Sequence, residues 1–238
     1  MSETTSQPRW RRLTAGALVL GPGLAVLSVI TGLALGPEPE SMRATFDFMA
    51  AHGSTMLVQD VLEAAGFATV LAGFASAARG LRSRGSTLGM VGSVLVTAGI
   101  VGFAMANAIG LSVVALAQLP DRDAAFAAAR DITASGPLAT LSGIGFALEV
   151  AGQLGMLLVL LGLWRARTAP IWPVAIAIVG MVVNAAVGTL AATLVADLLL
   201  LILGTWVAAT LLRASRPATA DPDLAPIAGN PLAGGAGR

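Results

Sequence analysis

The sequence predicts an all-α, polytopic membrane protein: six transmembrane helices arranged as three up-down hairpins, with both termini cytoplasmic. Three observations carry this. The 238 residues are 56% hydrophobic and only 11% charged, against about 25% charged in a soluble domain. Apolar runs longer than about 18 residues recur along the chain. All fourteen basic residues are arginine, and most of them cluster between alternate runs.

Residues 1–12 form a polar cytoplasmic segment ending Arg9-Trp10-Arg11-Arg12. The first span is 13–35, bent if anywhere at Gly21-Pro22-Gly23. Its length exceeds a signal-peptide core, and no convincing small-x-small cleavage motif follows. A net acidic loop covers 36–53, where Met42, Phe46 and Met49 space out as a short amphipathic surface helix. The second span is 54–78, closed by Arg79, Arg82 and Arg84. Residues 86–119 carry no charge and are read as one long span protruding at its far end. A second polar loop, 120–136, holds a helix-forming DAAFAAAR core. The fourth span is 137–164, followed by Arg165 and Arg167. The apolar stretch that follows is long enough for a hairpin, spans 171–188 and 190–212, turning at Gly188-Thr189. Residues 214–238 are rich in Pro, Ala, Gly and Asp without periodicity and are expected to be a disordered cytoplasmic tail.

Arginine placement orients the bundle. With six spans, eleven arginines fall on one side and three (Arg43, Arg122, Arg130) on the other. The positive-inside rule makes the richer side cytoplasmic, giving a multi-pass plasma-membrane protein. The absence of lysine beside abundant Ala, Gly, Leu and Val reads as the codon bias of a GC-rich bacterial genome.

Function classes narrow by absence of residue types. With no cysteine there is no disulfide, thiolate nucleophile or Cys-ligated cluster. His52 is the single histidine, which removes bis-His haem ligation and argues against a Ser-His intramembrane protease. No P-loop, DDxxD-like or HExxH motif occurs. No cofactor, metal, catalytic residue or nucleic-acid partner is expected; the lipid bilayer is.

The candidate site is a set of polar residues at matched depth. Sixteen residues separate Glu63 from Arg79, Glu149 from Arg165, and Asp197 from Arg213. At about 1.5 Å per residue, each acid lies about 24 Å from its arginine, in the outer half of a core about 30 Å thick. Asp60 is a turn further out, and Asn107 and Asn184 fall in the same half. The motif LExAG recurs at 62–66 and 148–152, consistent with hairpin duplication. Acids in hydrocarbon each cost about 2.5–3.5 kcal/mol on insertion scales, and no span holds a basic residue to offset them. Three solutions exist: protonation, a water-filled cavity open to the outside, or a bound cation.

One reading therefore makes Asp60, Glu63, Glu149 and Asp197, with Asn107, Gln153 and Asn184, the lining of an outward-facing cavity for a cation or small solute, with proton coupling an option. The other makes the protein a non-catalytic membrane subunit, whose acids hold helices together or dock a membrane-protein partner. Gln59 and Glu63, and Glu149 and Gln153, are four apart, so each pair can hydrogen-bond along its helix. His52, Met56, Asp60 and Glu63 share a helix face, but His52 and Asp60 are two turns apart and do not chelate one ion unaided. Glycines at 85, 89, 92, 143, 145, 152 and 155 suit close helix packing.

The arginine-marked inner face, polar outer loops and acid in the second span resemble the uncharacterised six-span integral membrane proteins common in actinobacteria. The resemblance spans about residues 8–213. It rests on layout and composition and implies no activity and no functional residue.

Overall fold

The protein is described from a computed structural model covering residues 7–37, 39–81, 83–134, 136–187 and 189–213. The expected tail at 214–238, the first six residues and Glu38, Arg82, Ser135 and Gly188 lie outside the described residues. Seven α-helices account for nearly all of them, and no strand occurs among them: α1 (Gln7–Ala34), α2 (Met42–Ala78), α3 (Ser86–Ala117), α4 (Arg122–Ala134), α5 (Gly136–Arg165), α6 (Trp172–Val187) and α7 (Leu190–Arg213).

Five of these, α1, α2, α3, α5 and α7, are long and apolar enough to cross a membrane. Helix α6 is apolar but has only 16 residues, about 24 Å of rise against a hydrocarbon core of about 30 Å. Large apolar side chains cover the outside of the bundle: Val94 and Phe146 are each 65% exposed and Val182 59%. Such a surface is at rest against lipid tails and would be an aggregation liability in water.

Two boundaries differ from the sequence reading. The helix expected on the membrane surface near Met42 is not separate: it is the first turns of α2, which continues through the expected loop. The joint is a kink at His52, where φ −121° and ψ 20° leave helical values. Gln118 explains the kink: its side chain occupies the space a Cβ on Gly53 would need, and its Nε2 donates to the Met49 carbonyl at 3.0 Å. Helix α1 likewise begins at Gln7, within the segment expected to be non-membrane, and runs unbroken through Pro22. Helix α6 ends at Val187 and α7 begins at Leu190, and Thr189 caps α7 by accepting from the Ala192 amide at 3.3 Å.

The helices pack in the spatial order α6, α7, α1, α2, α3, α5, and α5 closes the ring with lesser contacts to α2 and α6. The main core is built by Leu18, Val70, Phe74, Val96, Val159, Leu203 and Val207, all essentially inaccessible. Each lies within about 15 Å of the arginine-bearing end of its helix by residue count. A second, smaller core forms at the opposite end, where Phe46 on α2 sits under α4 with Ala117, Ala125 and Ala129. Phe46 meets Phe126 edge-on at 5.5 Å. Arg43 bridges the same elements, donating to Asp123 at 2.7 Å and Asp47 at 3.3 Å. The stretch of the long helices that carries Glu63, Glu149 and Asp197 lies between these two cores.

Candidate functional site

Helices α2, α5, α6 and α7 enclose a cleft of about 70 Å³ in that intermediate layer. Its polar lining is Asp197 from α7, Gln153 from α5 and Asn184 from α6; Phe67, Met156 and Gly180 supply apolar wall. Three of the seven residues singled out from sequence are thus brought together. The remaining four do not line this cleft.

Asp197 is the most buried of the acids, at 4% exposure. Among the described residues it has no hydrogen-bond or ion-pair partner, and the same holds for Asp60, Glu63 and Glu149; none of these carboxylate oxygens is sealed from space around it, since no fully buried side-chain oxygen or nitrogen lacks a partner. The four acids are nonetheless neighbours in an electrostatic sense: Glu63 lies within Coulombic range of Asp60, Asp197 and Glu149. Like charges so placed are relieved by protonation or by a cation. They do not form a cage, however: among the described residues no three of His, Asp and Glu approach closely enough to hold one ion.

The neutral candidates divide. Asn184 accepts from Thr193 Oγ1 at 3.1 Å across the α6–α7 turn, which leaves its amide nitrogen as a donor at the cleft. Asn107 turns back on its own helix and donates to the Phe103 carbonyl at 3.2 Å. The hydrogen bonds expected between Gln59 and Glu63 and between Glu149 and Gln153 do not form. Instead the Gln59 side chain packs against Gly32 of α1, within 2.9 Å of where a Cβ would stand. Ser28, fully buried, donates to the Gln59 carbonyl at 3.0 Å and ties α1 to α2 at this depth. His52 stays at the kink, its Nδ1 3.1 Å from the Phe48 carbonyl.

Sequence reasoning passed over Phe67 and Gly180. Both were findable: Phe67 follows Glu63 by one helical turn, and Gly180 precedes Asn184 by one turn, so each shares a face with a chosen polar residue. Phe67 also stacks on Phe103 at 4.6 Å, which fixes the wall of the cleft against α3.

No family model, no curated protein and no solved structure matches the chain.

Proposed function

We propose that this is a six-span plasma-membrane protein, cytoplasmic at both ends, that handles a cation or small solute at the cleft between α2, α5, α6 and α7. In this reading α6 completes the third hairpin, with the bilayer thinning or flanking residues adjusting to its shorter length. The observation that carries the reading is Asp197: a carboxylate at 4% exposure, without a partner, beside a cleft that also offers Gln153 and Asn184. A carboxylate at membrane depth with no internal counter-charge is expensive and points to a pathway or binding role. Asp60, Glu63 and Glu149 act at longer range, making the cleft attractive to cations. The protein is a binder or carrier rather than an enzyme in this reading, since no nucleophile–base pair sits at the cleft.

A second reading draws on the loose spacing of the acids. Residues too far apart to share an ion are also what a membrane subunit would keep for docking a partner's basic group or for holding helices together.

The natural absence of cysteine allows a direct test. Cysteines introduced singly at 153, 184 and 197 are expected to react with a membrane-impermeant thiol reagent added from outside, as is an outer-loop control at 121. In proteoliposomes, Asp197→Asn is expected to abolish a current driven by a gradient of Na⁺, K⁺ or H⁺ while leaving the melting temperature intact. Labelling at 121 alone, with Asp197→Asn indistinguishable from wild type, sinks the carrier reading and favours the subunit.

A further inference from the structure

We infer that the cation taken by the cleft around Asp197 is organic: a small alkylammonium ion, its charge facing the carboxylate and its methyl groups resting on the apolar wall. This rests on the carrier reading and narrows it, because the lining discriminates between kinds of cation. The first discriminating feature is the supply of oxygens. A metal ion that sheds its hydration shell needs the shell replaced by oxygens. Of the polar side chains in the lining, Asp197 brings two carboxylate oxygens and Gln153 one amide oxygen. The Asn184 oxygen already accepts from Thr193 Oγ1 at 3.1 Å. What remains of Asn184 for the cleft is a donor, and a donor does not ligate a metal ion. No second carboxylate joins Asp197 in the lining.

The wall discriminates in the same sense. Phe67, Met156, Ile176, Leu200 and Leu203 line the cleft. Against hydrocarbon, a strongly hydrated ion loses its water without replacement. An alkylammonium ion carries its charge under a skin of methyl groups, needs one counter-charge, and gains from burying those methyls. A phenyl ring adds attraction for such an ion. Phe67 is held in place by stacking on Phe103, with centroids 4.6 Å apart. Size agrees: about 70 Å³ is room for roughly three to five non-hydrogen atoms, since a cavity of about 150 Å³ takes a benzene. Asn184 is exposed while Asp197 is only 4% exposed. The cleft therefore runs from an accessible amide donor to a withdrawn charge. That order suits an ammonium head entering first, with a hydroxyl or carbonyl oxygen behind it.

The test follows thermal melting of the full chain in dodecyl maltoside, because a ligand that binds the folded state raises the melting temperature. The probes are the chlorides of tetramethylammonium, Na⁺ and K⁺ at equal concentration, and tert-butanol as a neutral counterpart in shape. Tetramethylammonium is expected to act at a concentration about tenfold lower than Na⁺ or K⁺, and tert-butanol to have no effect. Asp197→Asn is expected to weaken the tetramethylammonium effect about thirtyfold, Phe67→Leu about threefold, and the outer-loop change Asp121→Asn not at all. Na⁺ or K⁺ protecting as well as tetramethylammonium, with Asp197→Asn removing the effect, overturns the inference and leaves the carrier reading with a metal ion as cargo. Equal protection by tert-butanol means a purely apolar fit and also overturns it. So does protection by none of the probes. The cysteine labelling at 153, 184 and 197 then decides the carrier reading separately: labelled positions keep an accessible cleft for another solute, and unlabelled ones sink both.

Discussion

The α3–α5 pair and the α6–α7 pair are both antiparallel, apolar and glycine-containing, yet they are packed by different means. Between α3 and α5 the backbones touch. A Cβ on Gly99 would lie 2.5 Å from the Gly152 Cα, one on Gly102 2.5 Å from the Gly145 carbonyl oxygen, and one on Gly92 2.7 Å from that of Gly155. Between α6 and α7 the nearest atom to a Cβ on Gly180 is the Ala196 carbonyl oxygen, at 3.8 Å, an ordinary contact. The first pair leaves no room for anything but helix. The second stands off, and the space it leaves is where Asp197, Gln153 and Asn184 meet. Without a hydrophobic driving force in lipid, close backbone approach is what holds helices together; where a site is needed, that approach is given up.

The largest effect is expected from removing the close approach. Gly152→Ala places a methyl against the Gly99 backbone, which no rotamer change relieves, and is expected to destabilise the bundle by about 3 kcal/mol. Reversible unfolding in mixed micelles of dodecyl maltoside and sodium dodecyl sulfate measures it. A variant as stable as wild type would mean that the contact is not the source of cohesion, and the contrast between the two pairs would collapse.

A smaller effect of opposite sign is expected at the cleft. Asp197→Leu exchanges an unpartnered carboxylate for a hydrocarbon of a size the cleft accepts, and is expected to stabilise by about 2 kcal/mol. The same substitution abolishes ion-dependent currents if the cleft is the working site. Destabilisation instead of gain would show that the carboxylate holds helices together, and would put α6–α7 in the same class as α3–α5.

Gly180→Ala comes next. Its methyl has space, and alanine favours helix over glycine by about 1 kcal/mol in the unstrained case. A gain of up to about 1 kcal/mol in the same micelle titration is the expected result. A loss comparable to that of Gly152→Ala would mean that α6 and α7 are as tightly seated as α3 and α5.

Much of this was readable before the structure, and the residues show where reading stops. Distance along the helix is legible: the sixteen-residue spacing sets Glu63, Glu149 and Asp197 equally far from their arginines, because rise per residue is fixed in a helix. Rotation about the helix axis is not. Asn107 shares that half of the bundle, yet its amide bonds to its own helix, because which face points inward is decided by the neighbours and not by the span. The close-packed pair was half legible. Gly85, Gly92 and Gly99 repeat every seven residues, as do Gly145 with Gly152 and Gly155 with Gly162, a register two helices can share. With 28 glycines in the chain, only the partner backbone tells which ones matter. The continuity of α2 through His52 was illegible, because the Gln118 side chain that sets the kink is 65 residues away from Gly53 in sequence.

The smallest effect tests why one pair is held at its outer end and the other is not. Helix α4 links α3 to α5 and is pinned to α2 by Arg43, whereas α6 and α7 share only a short turn tied by Thr193 to Asn184. The Arg43–Asp123 pair is short but exposed, so solvent and salt screen it. Arg43→Ala is therefore expected to leave the unfolding midpoint unchanged and to raise hydrogen exchange in α4 alone, with the difference vanishing at about 1 M salt. Phe46→Ala removes the buried ring beneath Phe126 and is expected to expose α4 fully and independently of salt. That ordering follows from burial: a charge pair in water orients the cap, while an aromatic side chain withdrawn from it holds the cap down. If Arg43→Ala released α4 as completely as Phe46→Ala, the outer end of α3–α5 would be fastened by electrostatics, and its firmness would depend on ionic strength as that of α6–α7 does not.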